Sequence, residues 1–282
     1  MSPFLFLIAG AVACFIIWWL LIETEGVYLG KRVVIWLYDL YARRYDRVKQ
    51  FDDYADQLLL AAPLLDRIQP QVDPLMLDVA TGSGRLPLLM ARNGRFAGHV
   101  VGLDHSRNML EVAASKVKRE RFGAFISLTR GDAMDLPSPD GAFDAVACLE
   151  SLEFFPDLQA ALAEFARVLR PGGVLLTSNR IKTRWMPGRT VSRARLAQIL
   201  HACGMLSIEF EAWQEDYDKV WARKAGARDE CRVARAGSNL STEDTEKSKE
   251  SRENQCAGLI SDMFLSDRCG FPGGFARYRW RI

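Results

Sequence analysis

The sequence predicts an α/β fold: a seven-stranded, mostly parallel sheet with a terminal antiparallel hairpin, preceded by one transmembrane helix. Three observations carry the prediction. From Pro74 onward, five short apolar runs alternate with segments of helical period, the pattern of strands covered by helices on both faces. The alternation ends in two further runs joined by a tight polar turn near Glu215 and Asp216, which read as a hairpin. At the other end, the twenty residues from Pro3 to Ile22 carry no charge, and a helix of about 20 apolar residues crosses a bilayer.

The first stretch, PFLFLIAGAVACFIIWWLLI, has no basic flank before it, is too long for the apolar core of a cleaved leader and ends without a small-residue cleavage site, so it reads as a retained anchor. Trp18 and Trp19 suit an interfacial belt. Lys31, Arg32, Arg43, Arg44, Arg47 and Lys49 follow soon after, which by the positive-inside rule turns the long C-terminal part toward the cytosol. Residues 1–25 are therefore the anchor. From Gly26 to Tyr54, aromatic residues mix with arginines as in an amphipathic helix, and its apolar stripe serves equally to leave a membrane surface or to pack on a domain. Residues 26–70 form this juxtamembrane stretch and 71–224 the α/β domain. In the tail, 225–282, the segment Ser238–Asn254 has a single aliphatic residue in seventeen, too little burial to offset ordering, and disorder is expected.

Composition narrows the function. With 37 basic against 35 acidic residues, no broad basic face is available and nucleic acid is not an expected partner. The six cysteines (Cys14, Cys148, Cys203, Cys231, Cys256 and Cys269) are scattered without a CxxC grouping, so neither a metal site nor a disulfide framework is indicated, and a reducing compartment fits.

The strands are PLMLDVA, HVVGLD, FISLTRGD, FDAVACLE and GGVLLTSN, in that order. Helical segments run from Arg85 to Asn93, from Ser106 to Arg121, and from Asp157 to Arg170, the last stopped by Pro171, Gly172 and Gly173. A further helix from Ser192 to Gly204 precedes the hairpin SIEFEAWQEDYDKVWARK.

The first strand leads into LDVATGSGRL, where Gly82 and Gly84 open a helix but Pro87 stands where a dinucleotide fingerprint has its third glycine. A phosphate-cradling loop ending in Lys-Ser/Thr is absent. Asp78, at the end of that strand, would repel a pyrophosphate across a poorly screening medium and would favour a ligand with a cationic end. Asp104 closes the second strand, where an acid accepts hydrogen bonds from ribose hydroxyls. An adenosine carrying an ammonium and a sulfonium, as in S-adenosylmethionine, meets both conditions.

With these motifs, LDVATGSG, GLDHSRNML, RGDAMDLPSPDGAFDAVACLESLEFFPD and LRPGGVLLTSN, the chain resembles the class I S-adenosylmethionine-dependent methyltransferases, and within them the ubiquinone/menaquinone biosynthesis group. The likeness runs from about Tyr38 to Lys224. It implies a Rossmann-like domain in which Asp78, Ala80, Gly82 and Gly84 line the methionine end, Asp104 the ribose, His105 and Met109 the adenine face, Asp132 and Ala133 the adenine edge, and Leu149 and Glu150 the region of the sulfonium. In that fold the acceptor pocket is built by the N-terminal helix and the connection after the fifth strand, here residues 180–192. That connection is short, so the Tyr41–Tyr54 segment is expected to bound the pocket, and with the anchor this points to a lipophilic acceptor: a quinone precursor, isoprenoid or lipid. Methyl transfer chiefly asks for alignment and exclusion of water. Glu150, Glu153, Tyr45 and His105 are the candidates for any proton removal. Two other functions stay open, an NAD-dependent oxidoreductase and a non-catalytic S-adenosylmethionine-binding protein.

Overall fold

The computed structural model describes residues 3–68, 73–181 and 186–226. The tail expected to be disordered lies outside the described residues from 227 onward, as do residues 182–185 of the connection after the fifth strand.

Helix α1 (Pro3–Trp18) runs into a wide turn at Trp19–Glu23. Within it, Phe6–Glu23 is long and apolar enough to cross a membrane, and none of it is buried against the rest of the protein. Capping ends it: Thr24 Oγ1 donates to the Leu20 carbonyl at 3.0 Å, and Gly26, at φ 74°, returns its N–H to the same carbonyl, as the last carbonyls of a helix require.

The next segment is not the single helix expected from Gly26 to Tyr54. It is a chain of short ones: a turn at Val27–Leu29, α2 (Lys31–Tyr41), a turn at Ala42–Arg44, α3 (Tyr45–Lys49) and α4 (Asp53–Asp56). Gly30 breaks it at φ 94° and Gln50 at φ 49°, both outside helical geometry. Asp52 then restarts the helix by accepting the N–H groups of Tyr54 and Ala55. Through a wide turn at Gln57–Ala61, α4 continues into α5 (Ala62–Ile68). Leu60, Leu64, Leu65 and Ile68 share a core with Met76, Leu89 and Val100, so the boundary drawn near residue 70 separates stretches of sequence that pack as one body.

The sheet is built from β1 (Leu75–Val79), β2 (His99–Asp104), β3 (Ile126–Arg130), β4 (Phe143–Cys148), β5 (Leu169–Arg180), β6 (Met205–Ala212) and β7 (Tyr217–Lys224) in the order β3-β2-β1-β4-β5-β7-β6. Strands β1 to β5 are parallel, and β7 runs antiparallel between β5 and β6, the expected terminal hairpin. The connecting helices are α6 (Arg85–Arg92), α7 (Arg107–Glu120), α8 (Leu158–Val168) and α9 (Arg193–Ala202). Ser106, Asp157 and Ser192 cap three of them through the N–H groups of Met109, Ala160 and Arg195. Alternation along β1 sends Leu77 and Val79 to one core and Met76 to the other.

The sheet sets one boundary earlier than expected. Helix α8 stops at Val168 rather than Arg170, because Leu169 already pairs with Phe143 and the strand then kinks through Gly172 at φ 77°. The strand order reverses between β1 and β4, so the loops after them diverge and leave a crevice at the strands' C-terminal ends, the position where ligands bind in such sheets.

Phe165, on α8, is fully buried in the core beside Phe155. Phe165→Ala is expected to cost about 3–5 kcal/mol, read by denaturant unfolding of the detergent-solubilised chain. A loss below about 1 kcal/mol would show that this face collapses onto the void.

Candidate functional site

The crevice is shaped by one turn. After β1 the chain takes left-handed geometry at Ala80 (φ 57°), Gly82 (φ 53°) and Gly84 (φ 82°) before entering α6. Such geometry is strained for alanine, and strain of this kind gathers at ligand sites. Asp104 holds the turn from the neighbouring strand: its Oδ2 accepts the Gly82 N–H and its Oδ1 the Ser106 N–H, each at 2.8 Å. Burial raises the Asp104 pKa, opposed by these backbone donors. The carboxylate also lines the cavity.

The cavity gathers Ala80, Gly82, Asp104, His105, Asp132, Ala133, Leu149 and Glu150 from the loops after four strands, together with Tyr45. An adjoining recess adds Asp78 beside Tyr45, Gly82 and Glu150. Gly84 and Met109 line neither: Gly84 faces Ala113 on α7, and Met109 is wholly buried. Glu153 lies away from both recesses, buried and accepting from the Tyr217 hydroxyl. His105 Nδ1 is buried and has no hydrogen-bond partner among the described residues, an acceptor or donor open to a ligand.

Residues 77–177 match the methyltransferase domain family. The chain is 36% identical over 131 residues to a demethylmenaquinone methyltransferase of Geobacillus sp., covering 46% of this chain and 56% of that protein. A demethylmenaquinone methyltransferase of Desulfitobacterium hafniense is 30% identical over 147 residues, 52% of this chain and 58% of the relative. The matched part thus spans little more than half the length of these relatives. Among solved structures, the cyclase SpnF superposes with a TM-score of 0.60 at 22% identity, over 70% of this chain and 97% of that one. A SAM-dependent methyltransferase from Aquifex aeolicus gives 0.53 at 20% identity, over 66% and 97%. Residues 77–177 thus form a methyltransferase domain, similar in sequence to the demethylmenaquinone methyltransferases.

In this methyltransferase domain, Asp78 is almost fully buried and accepts the Thr81 hydroxyl at 2.6 Å. Burial pushes its carboxyl up to about 7, against that hydrogen bond. Arg85, the first residue of α6, governs the recess beside it. Its guanidinium reaches both Asp56 oxygens at 2.6 and 2.7 Å and Glu150 at 2.7 Å, and lies 4.2 Å over the Phe51 ring. Glu150, at φ 51° with its N–H on Ser178 Oγ, also accepts from Lys49 at 3.0 Å and Gln214 at 3.1 Å. Burial alone would raise its pKa, but Lys49 and Arg85 hold it below the usual carboxylate range. Tyr45 goes the other way, pushed well above the ordinary phenol range by burial and then by Glu150.

Sequence reasoning overlooked Arg85; it expected an N-terminal helix at the pocket but named none of the α2 residues that roof the cavity. Lys31, Val34, Ile35 and Tyr38 of α2 line the cavity, and the Lys31 ammonium bonds Asp132. Against the opposing effect of burial, Lys31 keeps the Asp132 carboxyl below its ordinary range. Asp39 accepts from Ser106 Oγ and the Asn108 N–H, and Asp46 from Ser83 Oγ. The signal was present: Lys31, Val34, Tyr38, Tyr45 and Lys49 stand three, four and seven apart, the spacing of one helix face.

The two glycines of the turn are expected to answer differently to alanine. A Cβ at Gly84 would stand 3.1 Å from Ala113 Cβ, whereas at Gly82 it meets only Tyr45 at 3.8 Å and faces the cavity. Gly84→Ala should therefore lose more than about 2 kcal/mol of stability. Gly82→Ala should lose less but bind S-adenosylhomocysteine at least about tenfold more weakly. Thermal unfolding and calorimetry on both variants check this, and the reverse ranking would place Gly82 outside the binding surface.

Proposed function

We propose that the protein binds S-adenosylmethionine in the crevice and transfers its methyl group to a small lipophilic acceptor at a membrane surface, with the anchor at Phe6–Glu23 and the domain on the cytosolic side. The observation that carries the cofactor reading is the set of carboxylates around the crevice: Asp78, Asp104, Asp132 and Glu150 line it, and the cations there, Lys31 and Arg85, are already bound to carboxylates. A pyrophosphate would find both of these cations already engaged and would meet the Asp104 carboxylate, held by backbone N–H groups, in a poorly screening site, which weighs against NAD, as does Pro87 in the turn. A ligand with a cationic end and two ribose hydroxyls meets acceptors.

The cofactor supplies an electrophilic methyl group on a positively charged sulfur. What this chain contributes is placement. Asp104 stands where the ribose would lie, Asp132 and His105 frame the base, and Asp78 faces the methionine end. Glu150 is held ionised by three donors, and it orders Arg85 and Lys49 around the recess. Tyr38, Phe154 and Phe155 give the cavity an aromatic wall, which, with the anchor and the likeness to methyltransferases named for demethylmenaquinone, supports an apolar acceptor. Excluding water there favours the in-line displacement.

Two measurements test the reading. Methyl-labelled S-adenosylmethionine incubated with the full chain and membrane extract should label material that partitions into organic solvent. Label confined to water-soluble products overturns the lipophilic acceptor, and binding without transfer leaves a non-catalytic binder. The fold alone does not decide this, since the cyclase SpnF shares it.

The second measurement is pH. The Asp78 carboxyl, near 7 when folded against an ordinary 3.8, keeps a proton that the unfolded chain releases. Without ligand, folding stability therefore falls as pH rises between those values. A cationic ligand favours the ionised form, so affinity for S-adenosylmethionine should fall as pH drops below about 7, by up to about tenfold per unit, and Asp78→Asn should flatten the profile. A pH-independent affinity in the native protein would remove Asp78 from the methionine end.

A further inference from the structure

The N-terminal helices carry a second face that the cofactor site does not use. Between Leu29 and Gln50 the exposed side chains are Leu29, Arg32, Trp36, Leu40, Arg43, Arg44, Arg47, Val48 and Gln50. They fall three or four apart along the outer side of α2 and α3. Trp36 is 57% exposed and Leu40 70%, large apolar surfaces facing away from the domain.

Charge is sorted across this segment. Its acids are engaged by the domain, Asp39 by Ser106 and Asn108, Asp46 by Ser83 and Lys116 although its side chain is 42% exposed, while Glu25 just before it binds Tyr38. The exposed charges without an ion pair are arginines: none of Arg32, Arg43, Arg44 and Arg47 forms one among the described residues. A solvated helix face ordinarily mixes both signs. A face with aromatic and aliphatic residues among arginines alone is suited to the boundary between acyl chains and anionic headgroups.

We propose that this outer stripe docks the domain on an anionic lipid surface, with Trp36 and Leu40 entering the headgroup boundary and the arginines meeting lipid phosphates. The inference rests on reading Phe6–Glu23 as the membrane anchor. That span ends shortly before Leu29, so the stripe leaves the bilayer where it must either lie on its surface or turn from it. The inner side of the same helix roofs the cofactor cavity, and docking would therefore set the cavity against the lipid that holds an apolar acceptor.

The test uses the full chain in phosphatidylcholine vesicles with brominated acyl chains, with and without phosphatidylglycerol, and reads tryptophan quenching in the native chain minus that in Trp36→Phe. Flotation with the vesicles reports the anchor separately, so a failed anchor and a failed stripe are distinguishable. The Trp36 part of the quenching should be present in anionic vesicles and at least about twofold smaller in neutral ones. It should fall severalfold in Arg43→Glu/Arg44→Glu/Arg47→Glu, whose folding is checked by retained S-adenosylhomocysteine binding. Raising ionic strength on the native chain should weaken it in the same way without any substitution. Equal quenching of the native chain and Trp36→Phe in anionic vesicles overturns the proposal, as does a Trp36 component indifferent to headgroup charge and salt.

Discussion

The carboxylate of Asp104 ties two chain reversals together, and the geometry of the site follows from it. One oxygen takes the Gly82 N–H of the turn after β1 and the other the Ser106 N–H of the turn after β2. Burying this charge is costly unless donors surround it, and the donors are the backbone groups that both turns would otherwise leave unpaired. The left-handed residues Ala80, Gly82 and Gly84 are thereby fixed against the neighbouring strand, where Thr81 N also reaches the Leu103 carbonyl at 3.0 Å. Because β1 stands at the reversal of strand order, the turn so fixed forms one wall of the crevice, and the loops carrying Asp132 and Glu150 form others.

The N-terminal segment closes the crevice by the same chemistry. Lys31, Asp39, Asp46 and Lys49 each bond a different loop: those around Asp132, Ser106, Ser83 and Glu150. A straight helix would touch the rim once. The breaks at Gly30 and Gln50 let a short chain of helices follow its curve, and the aromatic series Tyr38, Tyr41, Tyr45 and Phe51, with neighbouring centroids 5.3 to 5.9 Å apart, fills the gap that each bend leaves.

Much of this was legible in the sequence alone. Buried strands announce themselves as short apolar runs, and the caps at Ser106, Asp157 and Ser192 follow from residue type and position. Asp78 and Asp104 could be set at the crevice because both stand at the C-terminal end of a strand. What escaped depends on neighbours distant in sequence. Gln50 adopts left-handed geometry because Asp52 restarts the helix just beyond it, and nothing about a glutamine advertises that. Arg85 reads as an ordinary surface arginine until Asp56 and Glu150, 29 and 65 residues away, are folded around it. Lys31 was counted among the basic residues flanking the membrane span, and only the division of its helix into inner and outer stripes separates it from Arg32.

Glu150 and Glu153 show why the site reads as one of placement. They stand three residues apart after β4, yet burial and partners send them in opposite directions. Glu150 keeps its charge against Lys49, Arg85 and Gln214, and a carboxylate so engaged is a poor acceptor of a further proton. Glu153 is raised by burial, with one oxygen on the Tyr217 hydroxyl and the other without a partner among the described residues, and it lines neither recess. Tyr45, which does line the cavity, is held protonated by the same neighbourhood. None of the three is arranged to take a proton from an acceptor in the cavity. On the proposed methyl-transfer reading, the acceptor would bring its own nucleophile, an ionisable oxygen or an activated carbon, and the protein's share of the barrier would come from alignment and dryness.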